Sequence, residues 1–145
     1  MADDWLTTEQ VSAEARRPLR TVQGAAGSGR LGPLCRRVEE RRGAYYLLHP
    51  CLADPQVWRD VQGTTGRDGP AEAAVRPVVL ELIARVADLP TARELAQVIR
   101  AARVGSPVAW HRLEQAWVRA RRHGAEVADL LPEFRQAVAA LAPRG

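Results

Sequence analysis

The chain has 145 residues, 46% hydrophobic and only 5% aromatic, enough for one ordinary domain or two small ones with cores of Leu, Val and Ala. It carries 21 basic and 17 acidic residues, a net charge of +4, and every basic residue is Arg. Two cysteines are too few for a disulfide scaffold, and no run of about 18 apolar residues exists to span a membrane.

The first predicted element is a short helix. Thr7 and Gln10 have the spacing of a capping box, and Val11 and Ala15 fall four apart on its inward side. Arg16-Arg17-Pro18 breaks it, and Pro18 sits where a second helix can start without losing a hydrogen bond. That helix opens with Leu19-Arg20-Thr21-Val22 and buries Val22, Ala25 and Ala26. Gly29 stops it, with Leu31 as the apolar residue beyond the cap. Leu34 to Val38 and Ala44 to Leu48 read as two strands joined by the charged turn Glu39 to Gly43. Pro50 to Asp60 reads as a closing helix with Leu52, Val57 and Trp58 inward.

Residues 62–69, QGTTGRDGP read with Pro70, hold three glycines and no apolar anchor, the composition of a linker. They separate a mixed module (1–61) from a helical bundle (70–145). In the bundle, a helix from about Pro77 to Asp88 presents Val79, Leu82, Ile83 and Val86 on one face. A second opens at Thr91 with Glu94 completing a capping box, and carries Leu95, Val98, Ile99 and Ala102. A third starts at Ser106-Pro107, buries Trp110, Leu113, Ala116, Trp117 and Ala120, and stops at Gly124. The last runs from Ala125 to Ala142 and is kinked at Pro132. Glu72, Glu81, Glu94, Glu114, Glu126, Asp129 and Glu133 have the spacing of helix-surface acids.

Three blocks in fixed register carry a resemblance: Leu6-Thr7-Thr8-Glu9-Gln10-Val11, Pro18-Leu19-Arg20-Thr21-Val22 and Gly29-Arg30-Leu31, followed by Arg36-Arg37-Val38 and Tyr45-Tyr46. This stretch of about 55 residues resembles the MerR/excisionase-type winged helix-turn-helix. The resemblance implies a mostly α fold with a small β-hairpin wing, and sequence-specific binding of double-stranded DNA in transcriptional regulation or recombination. Charge agrees with it. Eight arginines face two glutamates between Arg16 and Arg42, so the basic excess of the whole chain is concentrated there. Arg17, Arg20, Thr21 and Gln23 are the expected major-groove residues, since Arg can read guanine and Gln adenine. Arg36, Arg37, Arg41, Arg42 and Tyr45 are the expected wing contacts. A homodimer held by the C-terminal helices is expected, because one small reader seldom reaches useful specificity alone. A nucleoid-associated cytoplasmic protein with both thiols free is the matching setting.

Other patterns carry less. Gly27 to Gly32 fits G-x-G-x-x-G but follows a helix and precedes Pro33, so it reads as a helix stop and no cofactor is expected. Cys35, Cys51, His49, His111 and His123 lack the paired spacing of a zinc site, and no metal is expected. No nucleophile–base constellation is visible, so no enzyme is expected. Arg100, Arg103, Arg112, Arg119, Arg121 and Arg122, with His111 and His123, form a second basic zone. Most of these sit near helix C-termini, where the dipole favours cations. Two alternatives remain: a non-catalytic adaptor that binds a protein partner through a winged helix, and a relative of the Mu-type transposase N-terminal DNA-binding domain.

Overall fold

The computed structural model describes residues 5–62, 70–86, 88–105, 109–122 and 127–141. The chain is mostly helical with a small three-stranded antiparallel sheet, and it divides into two compact units, 1–62 and 63–145. The expected linker falls almost wholly outside the described residues, as do Ser106-Pro107 and Gly124. Among the described residues no helix is long and apolar enough to cross a membrane.

In the N-terminal unit, β1 (Leu6–Thr7) leads directly into α1 (Thr8–Ala15). The Thr7 hydroxyl accepts from the Gln10 N–H at 3.2 Å, and Gln10 Oε1 accepts from the Thr7 N–H at 2.8 Å. Two otherwise orphaned donors are thus satisfied reciprocally. Arg16 ends α1 with φ 57° and ψ 48°, a left-handed conformation that L side chains resist. Ser12 clasps this turn: its carbonyl accepts the N–H groups of Arg16 and Arg17, and its hydroxyl donates to the Arg17 carbonyl at 2.6 Å. Arg16→Gly should therefore raise the stability of this unit by up to ~1 kcal/mol, net of glycine's larger unfolded-state entropy. A higher denaturant midpoint at unchanged slope is the expected reading.

Helix α2 (Leu19–Ser28) buries Val22, Ala25 and Ala26 and ends at Gly29 with φ 79°. A 3-10 turn (Gly32–Leu34) passes into β2 (Cys35–Glu40), which pairs with β3 (Gly43–Leu48). Both strands run further than the hydropathy pattern indicates, so the loop between them is only Arg41-Arg42. Gly43 takes φ 126° there, which lets the chain reverse at once. β3 is central: β1 pairs Leu6 with Leu48 and Thr7 with Leu47, while β2 is an edge. The expected single closing helix is a 3-10 turn (Pro50–Ala53) followed by α3 (Pro55–Gln62), because Asp54 starts a fresh helix by accepting from the Val57 N–H. Val11, Leu31, Leu34, Leu48, Leu52, Val57, Trp58 and Val61 form the core.

The second unit contains α4 (Pro70–Arg85), α5 (Leu89–Arg103), α6 (Ala109–Arg122) and α7 (Leu131–Leu141). Helix α4 starts seven residues earlier than expected and carries Pro77 inside it. Pro77 and Ala73, the residue four before it, are both exposed, so the carbonyl deprived of its donor faces solvent. Helix α5 is capped not by Thr91 but by Asp88, whose carboxylate accepts from the Thr91 N–H at 3.0 Å and hydroxyl at 2.7 Å. Pro90 fits the first turn of that earlier start. Trp117 stacks on Phe134 at 4.2 Å, whereas Trp110 is only half-buried.

The expectation that Glu72 is a surface acid is corrected. It is fully buried, and its Oε1 accepts from Arg103 Nε at 3.1 Å and Nη2 at 2.8 Å, with Arg76 Nη1 at 3.6 Å. Asp129 accepts both Arg85 Nη groups at 2.6 and 2.9 Å, and Arg85 holds its carboxyl below the usual range.

Candidate nucleic-acid interface

Burial of Val22, Ala25 and Ala26 fixes how α2 is rotated. At 100° per residue the opposite side carries Arg20, Gly24 and Gly27, with Gln23 beside them. Arg20, Thr21 and Gln23 are exposed. Gly24 has open space where a side chain would stand, and Gly27 lies 4.0 Å from the Tyr46 hydroxyl at that point. The outward face of α2 is therefore one guanidinium and one carboxamide above a bare backbone.

Gln23 also lines a groove of about 460 Å³ with Thr7, Thr8, Glu9, Ala44, Tyr45 and Tyr46. Helix α2 and strand β3 thus bring Gln23 and Tyr45 to one concavity. Tyr45 is 41% exposed, and its hydroxyl donates to Glu40 Oε1 at 3.1 Å. That bond and the neighbouring negative charge push the phenol above its ordinary value.

The arginines divide into two groups. Arg16, Arg17 and Arg20 around the α1–α2 turn, and Arg41 and Arg42 at the hairpin tip, are exposed and form no ion pair among the described residues. The others are engaged. Arg30 Nε donates to the Gln62 carbonyl at 3.1 Å, at the C-terminal end of α3. Arg37 Nη2 lies 3.6 Å from Glu39 Oε1. Arg36 stands over the Trp5 ring at 3.9 Å, a cation–π contact. Trp5 also meets His49 edge-on at 5.5 Å. Neither Trp5 nor His49 stands out in the sequence as part of this face. Their only signal is period-two alternation with Thr7 and Leu47, which is weak over so short a strand.

His49 caps the 3-10 turn, its Nδ1 accepting from the Cys51 N–H at 3.1 Å. Burial first, and the Arg36 charge second, lower its pKa from the ordinary 6.5. Below pH 6.5 the unfolded chain binds this proton more readily than the folded one, so its contribution to stability is full above that pH and declines as pH falls. His49→Asn keeps a cap acceptor and removes the titration. Its stability should lose less than the wild type's between pH 7 and 5 in parallel denaturant titrations. Equal slopes would show that His49 is not involved.

The two thiols are free, Cys35 half-buried and Cys51 buried, and burial pushes Cys51 up to about 12. Among the described residues no three His, Cys, Asp or Glu side chains are grouped to hold a metal ion. In the second unit, Glu94 of α5 and His111, Gln115, Val118, Arg119 and Arg122 of α6 line a broader groove, across which Arg119 pairs with Glu94. Comparison with family models, curated proteins and solved structures finds no match to this chain.

Proposed function

We propose that the N-terminal unit is a winged helix-turn-helix of MerR/excisionase type that binds double-stranded DNA. Helix α2 enters the major groove and the β2–β3 hairpin follows the adjoining backbone. One observation carries the reading: the arginines of this unit that form no ion pair among the described residues stand at the α1–α2 turn, on the outward side of α2 and at the hairpin tip. Free cations on a helix and a neighbouring hairpin suit a polyanion with grooves. Arg20 and Gln23 are the base-reading pair, with Thr21 beside them. Arg17, Arg41 and Arg42 neutralise phosphates. Arg36, Arg37 and Tyr45 already hold partners within the unit and contribute less. The bareness of α2 at Gly24 lets its backbone approach the groove floor closely.

Titration of a duplex pool at two salt concentrations tests this. Three or more phosphate contacts predict a log–log salt slope of roughly −3 or steeper. A full-length chain that binds no duplex at low salt, while still capturing a protein partner, would favour the adaptor reading.

A further inference from the structure

We propose that two copies of this chain associate through the open edge of β2, joining their three-stranded sheets into one six-stranded antiparallel sheet. This stands whether or not the unit reads DNA, and it places the seam in the N-terminal unit rather than the C-terminal helices.

Among the described residues no strand pairs with the outer side of β2, Cys35–Glu40. Such an edge is a template for another strand unless something blocks it. Natural edges are blocked with proline, bulges, a covering helix or loop, or charged side chains, the last of which deter every strand except one of complementary charge. β2 has no proline, its register with β3 is unbroken from Cys35 to Glu40, and its charges balance.

Backbone geometry restricts how two such edges can meet. The His49 N–H donates to the Leu34 carbonyl at 2.8 Å, one step beyond the Cys35–Leu48 pair. Alternation then directs the N–H and C=O groups of Arg36, Val38 and Glu40 toward β3, and those of Arg37 and Glu39 toward the open edge. Antiparallel pairing of two identical edges must therefore set outward residues opposite one another, and with at least three strand residues of each copy paired it is centred on residue 36, 37, 38 or 39.

Charge selects one of the four. Centred on Val38, Arg37 faces Glu39 of the second copy and Arg36 faces its Glu40, and symmetry repeats both pairs. Centred on Arg36 or Arg37, that arginine faces itself. Centred on Glu39, that residue faces itself, and Arg36 and Arg37 meet Arg42 and Arg41 of the second copy. The segment Arg36-Arg37-Val38-Glu39-Glu40 is thus its own complement in one register only. Opposite charges directly across a strand pair favour it, and like charges disfavour the others. The interface is isologous, with Val38 on the two-fold axis. Arg37 and Glu39, already 3.6 Å apart within one copy, form with their counterparts a square of alternating charge.

All four charged side chains are exposed, so reversing them leaves the core untouched. The test is sedimentation equilibrium of the full chain over a dilution series, with circular dichroism confirming the fold of each variant. The wild type should show reversible association from 15.9 kDa to twice that mass. Arg36→Glu/Arg37→Glu and Glu39→Arg/Glu40→Arg should each weaken self-association at least ~10-fold, because every cross-strand pair becomes like-charged. An equimolar mixture of these two variants should associate. The chain with all four reversals should regain homodimerisation. Three results would overturn the proposal: a wild type that is monomeric throughout, a dimer indifferent to the charge reversals, or a mixture that fails to associate.

Discussion

Glu72→Ala is expected to lower the stability of the C-terminal helical unit by about 3–5 kcal/mol. Glu72 has no solvent exposure and stands between two guanidinium groups, Arg76 on its own helix and Arg103 at the end of α5. Removing the carboxylate takes from Arg76, only 6% exposed, the anion it meets at 3.6 Å on its own helix, and leaves it near the Arg103 cation. The loss therefore comes mainly from the charge that remains. This distinguishes the site from the exposed Arg37–Glu39 pair, whose deletion should change stability by less than ~1 kcal/mol. Glu72→Leu combined with Arg76→Leu removes both buried charges of α4 and should recover most of the loss. Guanidinium denaturation followed by circular dichroism measures all three chains. A Glu72→Ala chain within ~1 kcal/mol of the wild type would mean that water or another partner compensates these guanidinium groups.

The second large effect concerns duplex binding. Arg20→Ala should cost about 1–3 kcal/mol of affinity for the preferred sequence and much less for unrelated duplex, because a bidentate contact to a base edge carries discrimination. Arg41→Ala with Arg42→Ala should instead weaken binding to every sequence alike and reduce the salt slope by about two, since in the proposed mode the tip arginines neutralise phosphates. In-vitro selection from a random pool supplies the preferred sequence, and fluorescence anisotropy at two salt concentrations then measures the variants. If Arg20→Ala lowered affinity equally for all duplexes, α2 would not be reading bases.

Much of the N-terminal unit is legible locally. The Thr7–Gln10 box, the Val22/Ala25/Ala26 stripe and the Gly29 stop are set by residues within one or two turns of each other, and the structure has each of them. What escapes depends on distant partners. Strand β1 is two residues long and exists only because Leu48 and Leu47 lie beside it. Glu72 and Arg76, four apart, look like a surface pair until Arg103, 31 residues away from Glu72, covers them. Arg36 reads as one more free cation until the sheet sets it on Trp5. The basic cluster is a matter of composition and visible at once. Apart from Arg37, which meets Glu39 on its own strand, which of its members are engaged is decided by tertiary contacts that no local pattern encodes.

The hairpin reverses direction in only two residues, and both are arginines. A longer loop would lose many conformations on docking, and that lost freedom would subtract from whatever the charges gained. Here the guanidinium groups sit at the end of a hydrogen-bonded ribbon with almost no slack, so only their own rotamers need to be ordered. The charge arrives on a stiff arm whose reach is set by strand length.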